Sequence, residues 1–254
     1  MRKTAVTFYY AVDSDFWDEI PAAADQVAAS DLTEHKSAVA ADSPDTLKLL
    51  GDISTLLCNK FNLETKSKEV KVIRELLAAQ TADNDATLIS KQQFMMLTAW
   101  FGSTETRKGS CHLVQQIKNM IKNSLLPIES ANHSWFAGPL TLDRSDEVLR
   151  NKEEGTFLIR FSEGYNKEGG FVLAIKGNNS VTQYRICGDP TTASDGDIYD
   201  AKLKFYADDG TFANEITYPD IVQFVNGRIL NHDFNGVKAQ YVCPNLNFNA
   251  LFSG

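Results

Sequence analysis

Cysteine is scarce in this chain of 254 residues. Cys58, Cys111, Cys187 and Cys243 show no CxxC spacing and form no dense framework, which excludes a disulfide scaffold and a zinc ribbon. His35, His112, His133 and His232 are equally scattered, so neither a metal nor a cofactor is expected, and the thiols read as structural groups of a reducing compartment. An excess of basic charge is also lacking. Lys and Arg total 25 against 33 for Asp and Glu, the net charge is -8, and no basic run exceeds a few residues. Nucleic acid is not expected as a partner on that balance, because displacing counterions from its backbone takes clustered cations, although the balance leaves room for a local basic pocket. No segment reaches the roughly 20 apolar residues of a membrane span. The apolar stretch after Met1, Arg2 and Lys3 contains Thr4 and Thr7 and runs into Asp13, Asp15 and Asp18. Without a small-residue cleavage site it reads as a strand or extended arm rather than a secretory leader. Catalytic signatures are missing too: no GxSxG, no HExxH, no GxxxxGK[ST] and no suggestive Cys–His pairing, so an enzyme is not expected.

What is present is an ordinary core-forming composition, with 43% hydrophobic residues, in a chain long enough for two domains. Its character changes near residue 130. Before that point apolar residues recur at helical spacing; after it, short β-branched and aromatic runs alternate with Gly, Asn and Asp turns. Ser43-Pro44-Asp45 predicts a helix start, followed by a stripe of Leu47, Leu50, Ile53, Leu57 and Phe61. Val70, Ile73, Leu76 and Leu77 predict a second helix. Ser90-Lys91-Gln92-Gln93 matches a capping box opening a third, through Phe94, Leu97 and Phe101, with Gly102 as its stop. Leu113, Ile117, Met120 and Ile121 predict a fourth, ending before Pro127, and the Ala- and Asp-rich residues 13–41 read as helical. Asp83, Asp85 and Thr87 alternate like half of an EF-hand loop. Leu88 stands where that loop needs glycine and Phe94 where it needs glutamate, so a polar turn is expected.

The stretch that carries chemistry is Gly155-Thr156-Phe157-Leu158-Ile159-Arg160-Phe161-Ser162-Glu163. A guanidinium in so apolar a strand costs several kcal/mol unless it meets an anion, either an internal carboxylate or a ligand. Ser162 lies on the same strand face as Arg160 by the period of two. Residues 163–170 form a polar, glycine-containing turn able to aim N–H groups at an anion held in the fork of Arg160. Phe171 to Ile175 is the next strand, and Gly177-Asn178-Asn179-Ser180 turns the chain into its hairpin partner, Val181 to Ile186, where Arg185 adds a second cation.

Trp135-Phe136-Ala137-Gly138, a short helix ending at Val148-Leu149, the run from Gly155 to Glu163, the two strands, Tyr218 to Val225 and the closing Tyr241-Val242-Cys243-Pro244 together resemble a Src-homology-2 domain over residues 133–246. The resemblance implies a central antiparallel sheet flanked by two helices, with phosphotyrosine bound on one side. It makes Arg160 the phosphate-gripping arginine and Ser162 its hydroxyl partner, and puts Glu163 and Gly164 in the phosphate-binding loop. Tyr184 and Arg185 match positions lining the peptide and the phosphotyrosine ring. Leu142 stands where the family often has a basic residue, with Arg144 close by as a substitute, and Gln183 stands where a histidine is usual. Residues 187–201 extend the connection after that strand and read as a solvated loop, a lid over the peptide being the alternative. The helices before Trp135 resemble the linker that precedes this domain in signal transducers and activators of transcription. There is no room here for their DNA-binding domain, and almost nothing follows Pro244 that could serve as a docking tyrosine tail.

The expected architecture is therefore α+β: a helical bundle scaffold over 1–130, then a phosphotyrosine-binding domain over 133–246. The expected function is an adaptor or effector that captures tyrosine-phosphorylated proteins. It is monomeric and cytoplasmic, or in the host cytosol if it is a secreted bacterial effector, of which the sequence carries no direct sign. The alternatives are a linker-plus-recognition fragment of a transcription activator, and a structural interaction domain whose arginine is held by an internal acid.

Overall fold

A computed structural model describes residues 15–23, 47–78, 84–107, 110–128, 131–161, 170–189, 202–206, 216–244, 246 and 251. The chain divides into two units, Met1–Ile117 and Lys118–Gly254.

In the first unit, local capping chemistry sets where two of the helices begin. Helix α1 spans Leu50–Phe61, α2 Lys68–Leu77 and α3 Lys91–Phe101. Ser67 caps α2 by accepting from the Val70 N–H. The capping box of α3 is complete: Ser90 Oγ accepts from Gln93 N at 3.2 Å, and Gln93 Oε1 accepts from Ser90 N at 2.8 Å. Gly102 ends this helix at φ +94. Leu50, Ile53, Leu57, Val70, Ile73, Phe94 and Leu97 are buried, and Phe16 stacks on Phe94 at 5.4 Å.

Two expectations change in this unit. The first helix does not include Leu47, because Leu47–Leu49 form strand β1, paired antiparallel with β2 (Leu88–Ser90). That pairing claims the backbone groups a first helical turn would use, so α1 starts at Leu50 with no side-chain cap. Ser43-Pro44-Asp45 and most of 13–41 lie outside the described residues; within the described 15–23, residues 15–18 form a helical turn. Asp85 accepts from Arg74 Nη1 at 2.8 Å, and Thr87 Oγ1 accepts from Asn84 N at 3.4 Å, a polar turn ahead of β2; Asp83 is outside the described residues. Strands β3 (Thr106–Arg107) and β4 (Ser110–Cys111) pair ahead of α4, His112–Asn123, which runs across the division between the units.

The second unit begins with a hairpin of β5 (Leu125–Ile128) and β6 (Ala131–Ser134), its base joined by a buried hydroxyl pair, Ser124 to Ser134 at 2.9 Å. Its main sheet has the strand order β11-β10-β9-β8-β14, with β7 (Phe136–Gly138) also on β8. Here β8 is Thr156–Phe161, β9 Gly170–Lys176, β10 Val181–Asp189, β11 Lys202–Tyr206 and β14 Tyr241–Val242. The pairs from β8 to β11 are antiparallel, whereas β7 and β14 join β8 in parallel. Helix α5, Leu142–Arg150, covers one face over Ala137, Leu149, Leu158, Ala174 and Cys243. The other face meets α6, Ile221–Phe224, which continues as a π-helical turn over Val225–Ile229, with Phe224 edge-on to Phe205 at 5.0 Å. This is the sandwich of sheet and two helices that the resemblance implies.

Strand β10 is longer than expected. Cys187–Asp189 belong to it, paired with Lys202–Lys204, so the connection is shorter than 187–201; residues 190–201 lie outside the described set. Between α6 and β14 lies a hairpin of β12 (Asp233–Phe234) and β13 (Val237–Lys238). Asn235 and Gly236 turn it at φ 56 and 91, the left-handed geometry that an Asn-Gly pair accepts at little cost.

Gly155 launches β8 from φ +83, and a Cβ there would lie 2.4 Å from the Lys238 carbonyl oxygen. Its own carbonyl accepts from Gln240 N at 3.0 Å, so neither side has room to give. Gly155→Ala is expected to destabilise the second unit by about 2 kcal/mol or more, read as a lower urea midpoint; an unchanged midpoint would contradict this packing.

Candidate functional site

Every residue of β8 is buried, Arg160 included at 4% exposure. Its neighbours Phe157, Leu158 and Ile159 each contribute about 1.5–3 kcal/mol by leaving water. The guanidinium in the same strand costs free energy unless its donors are met. Arg160 Nη1 donates to the carbonyl oxygens of Phe161 at 2.9 Å and Leu140 at 3.4 Å, and Nη2 donates to Gln183 Oε1 at 2.6 Å.

Register decides which candidates share that face. Arg160 pairs with Val172, and Val172 with Arg185, so the two arginines stand in one cross-strand row on the α5 side of the sheet. Leu158, Ala174 and Gln183 form the neighbouring row. The amide of Gln183 reaches from β10 to α5, where Nε2 donates to Asp146 Oδ1 at 2.8 Å and to Ser145 Oγ at 3.0 Å. Arg160, Gln183 and Arg185 are thus brought together on one face.

Tyr184 is not with them. The period of two turns it to the opposite face, where its ring lies 5.0 Å from Phe234 and 5.8 Å from Phe205. Its hydroxyl accepts from Asn235 Nδ2 at 3.4 Å, and burial pushes its pKa up. Arg144 sits in the exposed first turn of α5, where its N–H is capped by Thr141 Oγ1 at 3.1 Å. Its guanidinium pairs with Glu147 one turn on. Ser162, Glu163 and Gly164 lie outside the described residues.

Three contributors were missed in the sequence: Ser145 and Asp146, which anchor Gln183, and the Leu140 carbonyl. Ser145 is wholly buried and its hydroxyl donates to Leu142 O at 2.7 Å, so it reads in sequence as one more polar residue of a short helix. Only helix-over-sheet packing brings these groups to β8.

Arg160 is thus buried on the α5 face of a sheet packed between two helices. Residues 135–215 match the family model of the SH2 domain, and this part of the chain is an SH2 domain. The match begins at Trp135, so the preceding helices lie outside it. Among curated proteins the chain is similar to the dual specificity protein kinase shkA of Dictyostelium discoideum, 24% identical over 129 residues, which are 50% of this chain and 21% of that protein. It is also similar to the tyrosine-protein kinase csk-1 of Caenorhabditis elegans, 38% identical over 58 residues, 22% of this chain and 10% of the kinase. The chain thus spans about a fifth or less of the length of these relatives. Among solved structures, the SH2 domain of the Monosiga brevicollis CRK/CRKL homolog is 20% identical, covering 46% of this chain and 93% of that one at a TM-score of 0.33.

The Arg144 hydrogen bond and charge hold the Glu147 carboxyl below the usual carboxylate range. The pair therefore exists above that lowered pKa and dissolves as pH falls through it. Arg144→Ala is expected to raise the Glu147 pKa in a side-chain carboxyl NMR titration; an unmoved titration would show that Arg144 is not engaged there.

Proposed function

We propose that the chain is a phosphotyrosine reader that captures tyrosine-phosphorylated proteins as an adaptor or effector, without catalytic activity of its own. The observation that carries this reading is Arg160, buried at 4% exposure in β8 of an SH2 domain and sharing a sheet face with Arg185. In this proposal the Arg160 guanidinium grips phosphate oxygens with charge-assisted hydrogen bonds, each worth about 1.5–3 kcal/mol. Ser162, Glu163 and Gly164 supply the hydroxyl and backbone of the phosphate loop, and Arg185 lies against the phosphate or the phenol ring. Arg144 contributes once Glu147 releases it. Tyr184, on the opposite face beside Phe205 and Phe234, lines the path of the peptide rather than the phosphate. The depth of Arg160 selects phosphotyrosine over phosphoserine, whose shorter side chain leaves its phosphate out of reach.

The helices of the first unit act as a scaffold in this proposal, over the span 1–130 before a reader domain over 133–246. The chain works as a monomer in the cytosol, its own or a host's. The whole protein's partners are tyrosine-phosphorylated proteins, not nucleic acid.

Titration calorimetry with phosphotyrosine peptides tests the reading. Arg160→Ala and Arg160→Lys are expected to weaken binding by about 100-fold or more, since the bidentate fork is lost in both, while the thermal transition is retained. Wild-type affinity should also fall below about pH 6 as the phosphate takes up its second proton. Unchanged affinity in the Arg160 variants would overturn the proposal.

A further inference from the structure

We propose that Gln183 is a positioning residue for phosphate capture: a neutral clip, fastened to α5 by Asp146 and Ser145, that fixes the plane of the Arg160 guanidinium. This rests on the phosphotyrosine-binding reading above and assigns Gln183 a role through Arg160 rather than on the ligand.

The hydrogen-bond directions leave one arrangement. Both hydrogens of Gln183 Nε2 have acceptors, Asp146 Oδ1 at 2.8 Å and Ser145 Oγ at 3.0 Å, while Oε1 faces the Nη2 donor of Arg160 at 2.6 Å. Turning the amide over would set its NH2 against a guanidinium and its carbonyl against a carboxylate, donor on donor and acceptor on acceptor. Ser145 in turn donates its hydroxyl proton to Leu142 O at 2.7 Å, which leaves its lone pairs for the amide. A directed chain therefore runs from Arg160 through Gln183 and Ser145 to the first turn of α5, each donor polarising the next. The Leu140 carbonyl, 3.4 Å from Nη1, ties the same guanidinium to the segment that leads into that helix. Strand β8 supplies the cation, β10 the clip and α5 the anchor.

Neutrality is the second part of the role. Asp146 is the acid that anchors the clip, and the Gln183 amide stands between its carboxylate and Arg160, two hydrogen bonds apart. A carboxylate in direct contact would satisfy the guanidinium from within and compete with a phosphate dianion. An amide orients the cation without that competition.

The test uses the full chain and a phosphotyrosine peptide, with wild type and Arg160→Ala as references and thermal melting as the fold control. Gln183→Leu is expected to lose about 10–100-fold in affinity, the range set by a hydrogen bond to a charged group. In the ligand-free protein its Arg160 guanidinium signals should average in nitrogen-detected NMR, a loss of orientation that mere support of the fold would not produce. Gln183→Glu is expected to lose affinity as well, although its guanidinium signals stay resolved, because holding is kept and neutrality is not. Asp146→Asn, which preserves an acceptor for the amide, should lose less than Asp146→Ala, and this pair decides the matter if the Gln183 variants do not fold. Resolved guanidinium signals in Gln183→Leu, or affinity within about twofold of wild type, would overturn the clip. Absence of binding by wild type itself would instead sink the phosphotyrosine reading, and the guanidinium spectrum would still decide the role of Gln183.

Discussion

The candidate site in the second unit is organised around one buried permanent cation, Arg160. Guanidinium cannot shed its proton at physiological pH, so a strand that buries it must surround it with oxygens in a fixed geometry. Among the described residues, oxygens that meet Arg160 come from its own strand edge at Phe161, from the segment before α5 at Leu140, and from β10 at Gln183. Each of these elements is constrained by the others. The hydrophobic contacts of Leu149, Leu158 and Ala174 hold α5 on the sheet, and the polar chain through Gln183 fixes how it lies at the site.

The two faces of the same sheet do different work because side chains alternate along every strand. On the α5 face stand Arg160, Gln183 and Arg185; on the other, Tyr184 joins Phe205, Phe224 and Phe234 in an aromatic layer under α6. Gln183 and Tyr184 are neighbours in sequence and are separated by the full thickness of the sheet. In the proposed reading, a ligand group that reaches the cation and one that reaches the aromatic layer come from different parts of a peptide.

The helices and strands of the chain were largely legible. Ser90 and Gln93 announce their reciprocal cap at a spacing that only an N-terminus uses, and the cap is there. The run Phe171 to Ile175, the turn Gly177-Asn178-Asn179-Ser180 and the run Val181 to Ile186 announce a hairpin, and the register bears it out. Leu47 misled because its spacing fits the helical stripe; a distant partner, β2, captured its backbone first. The 233–238 hairpin was missed although its Asn235-Gly236 turn was visible, since the strands are too short to show alternation.

At the site, the sequence alone determined that Arg160 is an anomaly needing an oxygen partner, because charge and strand period are local properties. It also determined that Arg185 follows on a paired strand. Which oxygens meet Arg160, and that Tyr184 turns away from it, were decided only by tertiary structure. The physical reason is sequence separation: Asp146 and Ser145 lie 37 and 38 positions from Gln183. No local pattern records a contact made by a helix laid across a sheet.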